Sequence, residues 1–307
     1  MSELLKANVR YLTDSGLETT LVFLDGHELP AFAAFPLLET AGGRARLRRY
    51  YREHADLARA AGMGFVFEAP TWRANPIWGA NLGYDPVRLT TINAEAIDFC
   101  RAIAAEYRTM PKLVSGQIGP RGDGYLPDST MTAAEAQDYH TLQIRAFARA
   151  DVVTALTMNN VSEAVGIVRA ASAASVPVVI AFTVETDGLL ATGQPLGEAI
   201  RETDDKTGGY ASYFMINCCH PEHFMPALDE TAAARVRGVR ANASCKSHAE
   251  LDLMDELDSG NPCAMGDAYR KLDMLLPRLA VVGGCCGTDL RHIREIVRQQ
   301  DWRAVPA

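Results

Sequence analysis

Positive charge is scarce in this chain, aromatic residues are few, and no long apolar run occurs. Thirty Lys and Arg stand against 38 Asp and Glu, a net charge of −8. That balance argues against a nucleic-acid partner or an anionic membrane surface. No stretch approaches the roughly 18 consecutive apolar residues of a spanning helix, so no membrane partner is expected. The start, Met1-Ser2-Glu3-Leu4-Leu5-Lys6, lacks a basic segment followed by an apolar one. No signal peptide is therefore expected, and the expected location is cytoplasmic. Two further motifs are missing. The first apolar run leads into Thr13-Asp14-Ser15-Gly16-Leu17-Glu18 rather than Gly-x-Gly-x-x-Gly, which argues against a dinucleotide fold. No His-x-x-x-His occurs, so the usual hydrolase pair of zinc ligands is absent.

What is present reads as one globular unit spanning 1–307, with its core at about 10–299. A chain of this length buries a full core without disulfides. Short apolar runs at 9–13, 65–67, 112–117, 152–156, 176–183, 213–217, 236–240 and 279–282 read as strands. Helical patterns follow them at 44–61, 94–107, 133–148, 161–173, 195–201, 221–228, 264–275 and 289–299. Strands separated by helices imply parallel crossovers, and eight such units predict an α/β fold of the closed (β/α)8 TIM-barrel type. The alternative is an open doubly wound sheet.

In such a barrel the chemistry belongs at the carboxyl ends of the strands. Those ends carry Asp14, Glu68, Thr71, Gln117, Thr157, Glu185, Asn217, Cys218, Asn242, Cys285 and Cys286. The chain has seven cysteines, an odd number, and four of them form the adjacent pairs Cys218-Cys219 and Cys285-Cys286. Without an export signal this pattern points to metal or catalysis rather than a disulfide framework. Both pairs end predicted strands, the sixth and the eighth, two places apart on one rim. Three thiolates would satisfy a tetrahedral zinc and leave one position for substrate. The glycines flanking Cys285 and Cys286 would let neighbouring side chains turn to the same side. Cys100, Cys245 and Cys263 read instead as packing residues.

These residues resemble a known family. Asp14-Ser15-Gly16, Ser115-Gly116-Gln117-Ile118-Gly119-Pro120, Phe182-Thr183 with Asp187-Gly188, Asn217-Cys218, and Gly283-Gly284-Cys285-Cys286-Gly287 followed by Thr288 and His292 are similar to motifs of the homocysteine S-methyltransferases. The likeness runs from about residue 12 to 296. It implies a zinc-bearing barrel with Cys218, Cys285 and Cys286 as ligands, and methyl transfer to homocysteine, giving methionine. Cys219 follows the family's ligand without being one, and His220 and His223 are expected to support the site or lie at the surface. The resemblance also implies that Asp14 helps bind the homocysteine amino group; read alone, it is a turn residue.

One departure stands out. Strand four carries Leu156 before Thr157, where the family usually has a glutamate that holds the amino group. Glu68 on strand two is expected to take over that anchor together with Asp14, and Thr157 is expected to line the substrate site. The competing expectation is a structural pair between Glu68 and Arg73. Trp72, Trp78 and Tyr125 near the strand ends would suit an onium methyl donor by cation–π contact, or pack as ordinary loop aromatics. The chain ends soon after the eighth helix, which favours a sulfonium donor such as S-methylmethionine or S-adenosylmethionine over betaine. The same chemistry on another thiol, a different zinc enzyme, and a zinc or redox-sensing barrel are the alternatives; a homo-oligomer is compatible with each.

Overall fold

The computed structural model describes residues 4–126 and 130–298. Eight parallel strands close into a barrel: β1 (Tyr11–Leu12), β2 (Gly64–Glu68), β3 (Lys112–Ile118), β4 (Val152–Met158), β5 (Val178–Phe182), β6 (Tyr213–Asn217), β7 (Val236–Ala241) and β8 (Val281–Gly284). Each pairs with its sequence neighbours, and β1 closes the ring on β8 with Tyr11 opposite Val281 and Leu12 opposite Val282. The open doubly wound alternative is thereby excluded.

The crossover helices are α1 (Ala41–Ala60), α2 (Pro86–Ala104), α3 (Ala133–Ala146), α4 (Val161–Ala173), α5 (Leu196–Thr207), α6 (Glu230–Arg235), α7 (Pro262–Leu275) and α8 (Leu290–Arg298). Three differ clearly from the expected spans. The second begins at Pro86 rather than residue 94, because Asp85 caps it by accepting from the Arg88 amide at 2.8 Å and Pro86 fits the first turn. The fifth runs past residue 201 to Thr207, where left-handed Gly208 stops it. The sixth expected helix, 221–228, is a single turn at Pro221–Phe224 and a 3-10 turn at Met225–Ala227, and the crossover helix α6 begins only after it. Residue 299, the expected end of the last helix, lies outside the described residues. No helix among the described residues is long and apolar enough to cross a membrane.

Strand alternation divides the core in two and positions the site. Phe65, Phe67, Val153, Ala155, Phe214, Ile216, Val239 and Val282 point outward into the layer beneath the helices. Val66, Val152, Leu156, Val179, Ala181, Tyr213, Met215 and Val281 point inward and fill the barrel. Full burial of each large apolar side chain contributes about 1.5–3 kcal/mol, which fixes the register. Continuing the inward row by two residues brings Glu68, Asn217 and Arg240 to the upper layer.

Candidate active site

Above that layer lies a cavity of about 410 Å³, lined at its base by Asp14, Glu68, Gln117, Leu156, Thr157, Asn217, Cys218, Arg240, Cys285 and Cys286. Strict alternation would turn Leu156 and Thr157, or Asn217 and Cys218, to opposite sides. Left-handed backbone at Thr157 (φ +63°) and Cys218 (φ +58°) breaks it, so both members of each pair reach the cavity. Such conformations cost non-glycine residues about 1–3 kcal/mol. Asn217 supports them: its carbonyl oxygen accepts from the Thr157 amide at 2.8 Å, and its amide donates to Thr157 Oγ1 at 3.0 Å.

The sulfurs of Cys218, Cys285 and Cys286 lie within 4.8 Å of one another, with Cys218 and Cys286 at 3.5 Å. Tetrahedral zinc–thiolate bonds of about 2.3 Å require sulfurs about 3.8 Å apart, so this donor set fits the ion with little rearrangement. Glycine makes the approach: a Cβ at Gly16 would meet the Cys285 carbonyl oxygen at 2.6 Å. Hydrogen bonds from Cys218 and Cys286 favour the thiolate at Cys285, well below the ordinary thiol range, and Arg240 adds to this. The hydrogen bond with Cys285 in turn raises Cys218. Cys219 is buried in the outer core, and Cys245 and Cys263 are exposed. His220 caps the helix Pro221–Phe224 by accepting from the Glu222 amide, and His223 Nε2 meets the Cys245 carbonyl at 2.9 Å. None of these joins the thiol cluster.

Arg240 is the residue that sequence reasoning missed. Its guanidinium is 4% exposed, meets Asp14 at 2.6 Å, and is paired with Glu68. It also donates to the carbonyls of Ser15 and Gly284. Burial raises both carboxyl groups against the pull of Arg240, Asp14 to about 6. Gln117 adds a hydrogen bond to Glu68 at 3.2 Å. The two acids therefore stand together with a cation between them, and the group they form carries one net negative charge when both are ionised.

The expected pair between Glu68 and Arg73 is not formed. Arg73 instead lies between two indoles, 4.1 Å from the Trp72 ring centre and 3.9 Å from that of Trp78. The chain's own cation thus lies over two of the three aromatic candidates for an onium donor, and the third, Tyr125, is stacked on His248. Thr71 is buried, bonded to the Gln117 carbonyl at 2.7 Å. Glu185 lies behind the cavity against His248 Nδ1 at 2.9 Å. Asn242 donates to the Cys218 carbonyl at 3.0 Å.

A closed parallel barrel with three converging thiols and paired acids at its carboxyl mouth is the architecture of a barrel enzyme with a metal-competent centre. A family model described as homocysteine S-methyltransferase matches residues 30–299, and the chain belongs to that family of methyltransferases. No curated protein matches the chain by sequence. Among solved structures, it is similar to the homocysteine methyltransferase MmuM from Escherichia coli. The metallated form gives a TM-score of 0.73 at 19% identity, and the oxidized form 0.74 at 20%. Each covers 96% of this chain and 97% of the other.

Proposed function

We propose that this protein transfers a methyl group from a sulfonium donor to the sulfur of homocysteine, giving methionine, with zinc held by Cys218, Cys285 and Cys286. The observation that carries the reading is the convergence of these three sulfurs within 4.8 Å at the mouth. Bound there, zinc would keep an incoming thiol as a thiolate at neutral pH.

The chain's own residues supply placement. Glu68 and Asp14, tied together by Arg240, anchor the acceptor's ammonium and take the part of the acid that Leu156 replaces. Their single net negative charge is matched by one ammonium. Thr157, facing the same cavity, lines the acceptor. A thiolate so fixed attacks the methyl carbon in line. The new carbon–sulfur bond forms as the methyl–sulfonium bond breaks, and its electron pair leaves on a neutral sulfide. No general acid is needed at the leaving group, so alignment and exclusion of water carry the catalysis. Preference for a cationic donor rests on acidic residues at the mouth, among them Asp123, Asp252 and Glu256, rather than on the indoles that Arg73 covers.

The experiment is methyl transfer to homocysteine from S-methylmethionine, S-adenosylmethionine and betaine in parallel. Turnover with a sulfonium donor supports the reading. Turnover with homocysteine confined to betaine would overturn the donor assignment, and turnover only with other thiols would overturn the acceptor.

A further inference from the structure

Tyr125 has a place in the cavity wall that none of the roles above uses. Its hydroxyl is 2.9 Å from the Cys218 sulfur. The loop that carries it is built rather than loose. Asp123 Oδ1 accepts from the amides of Tyr125 and Leu126 at 2.8 and 3.1 Å. Asn159, just beyond β4, donates to the carbonyls of Asp123 and Gly124 at 3.2 and 3.1 Å. A Cβ at Gly124 would meet the Thr157 methyl carbon at 2.7 Å, so the loop seats directly on the left-handed residue that shapes the mouth.

The ring itself is held from the other side. It stacks on His248, with centroids 3.8 Å apart and planes at 20°. His248 Nε2 lies 2.6 Å from the Cys218 carbonyl and Nδ1 lies 2.9 Å from Glu185. Both ring nitrogens thus face an oxygen, and the two contacts fix the plane of the imidazole on which the phenol ring rests. Tyr125 and His248 therefore grip one residue from two directions, the sulfur by a hydroxyl and the backbone by an imidazole. Cys218 is also the cysteine whose left-handed backbone most needs such support.

We propose that Tyr125 is a positioning residue of the metal centre. Its hydroxyl donates to the Cys218 sulfur, fixing that ligand's direction and drawing electron density from it, while His248 fixes the ring. This rests on the zinc reading above. A hydrogen bond to a ligating atom changes both affinity and electronic structure, and loss of such outer partners typically costs 10- to 100-fold in metal affinity.

The test uses the full chain loaded with zinc or with cobalt(II) and compares wild type with Tyr125→Phe and His248→Phe. Tyr125→Phe keeps the stacked ring and removes the hydroxyl. Zinc affinity, measured by competition with a chromophoric chelator, is expected to fall roughly 10- to 100-fold. The sulfur-to-cobalt charge-transfer bands are expected to shift in the same variant. His248→Phe should move both readouts in the same direction by freeing the tyrosine. Wild-type affinity and bands in Tyr125→Phe overturn the proposal. So does a change confined to His248→Phe, which would assign the hold to the backbone of Cys218 alone. A wild type that takes up neither metal overturns the zinc reading, and this proposal with it.

Discussion

The guanidinium of Arg240 meets the carboxylate of Asp14 at 2.6 Å in the floor of the barrel mouth, both side chains almost wholly removed from solvent. They lie 226 residues apart in sequence, and closure of β1 on β8, which pairs in turn with β7, brings them together. Such a pair is a poor source of net stability, because desolvation of the charges offsets much of their attraction. Its value lies in orientation, and the cost of breaking it is high.

Arg240→Met should therefore destabilise the fold by about 3–5 kcal/mol, the penalty for leaving buried carboxylates without their cation. Urea unfolding measures it. A loss below 1 kcal/mol would mean that Asp14 and Glu68 find hydration or other partners in the native state.

Glu68→Gln is expected to raise KM for homocysteine roughly 10-fold or more with a smaller change in kcat. A hydrogen bond to a charged group contributes about 1.5–3 kcal/mol, and loss of uniform binding falls on KM. Steady-state kinetics on zinc-loaded protein decides the matter. An unchanged KM would discard the anchor, whatever happens to stability.

Glu18 gives a pH dependence. It is half-buried at the mouth, and loss of hydration raises its carboxyl from 4.5 to about 7. Below pH 4.5 the group is protonated in both folded and unfolded chains. Between pH 4.5 and 7 the folded chain keeps a proton that the unfolded chain has released, so this group's contribution to stability falls as pH rises. Glu18→Gln should flatten the stability profile across that window, measured by urea midpoints at half-unit steps. A variant profile parallel to the wild type would contradict the raised carboxyl.

Much of this molecule was legible from residue order. The barrel was readable because parallel strands covered on both faces are short apolar runs, and the sixth lay exactly as expected at Tyr213–Asn217. The thiol cluster was readable because adjacent cysteines ended two strands of one rim. Arg240 was not, since a single arginine in a strand usually reads as a solvent-facing residue. Its signal was positional: Val239 faces the helices, so Arg240 faces in, toward acids that other strands supply. The Trp72 and Trp78 faces looked free because spacing along a chain says nothing about which cation a folded loop inserts, and Arg73 sat beside one of them. Tyr125 lies in the loop after β3 and His248 opens the short helix His248–Asp252 after β7, a juxtaposition that no local pattern encodes.

The central claim is that Cys218, Cys285 and Cys286 hold the zinc on which methyl transfer depends. The most direct measurement is metal content of the purified chain and of Cys286→Ser, each paired with transfer to homocysteine before and after chelation. The account predicts one zinc per wild-type chain, loss of activity on chelation with recovery on adding zinc, and neither firm metal nor activity in Cys286→Ser. Full activity in chelated protein, or in Cys286→Ser, would contradict it.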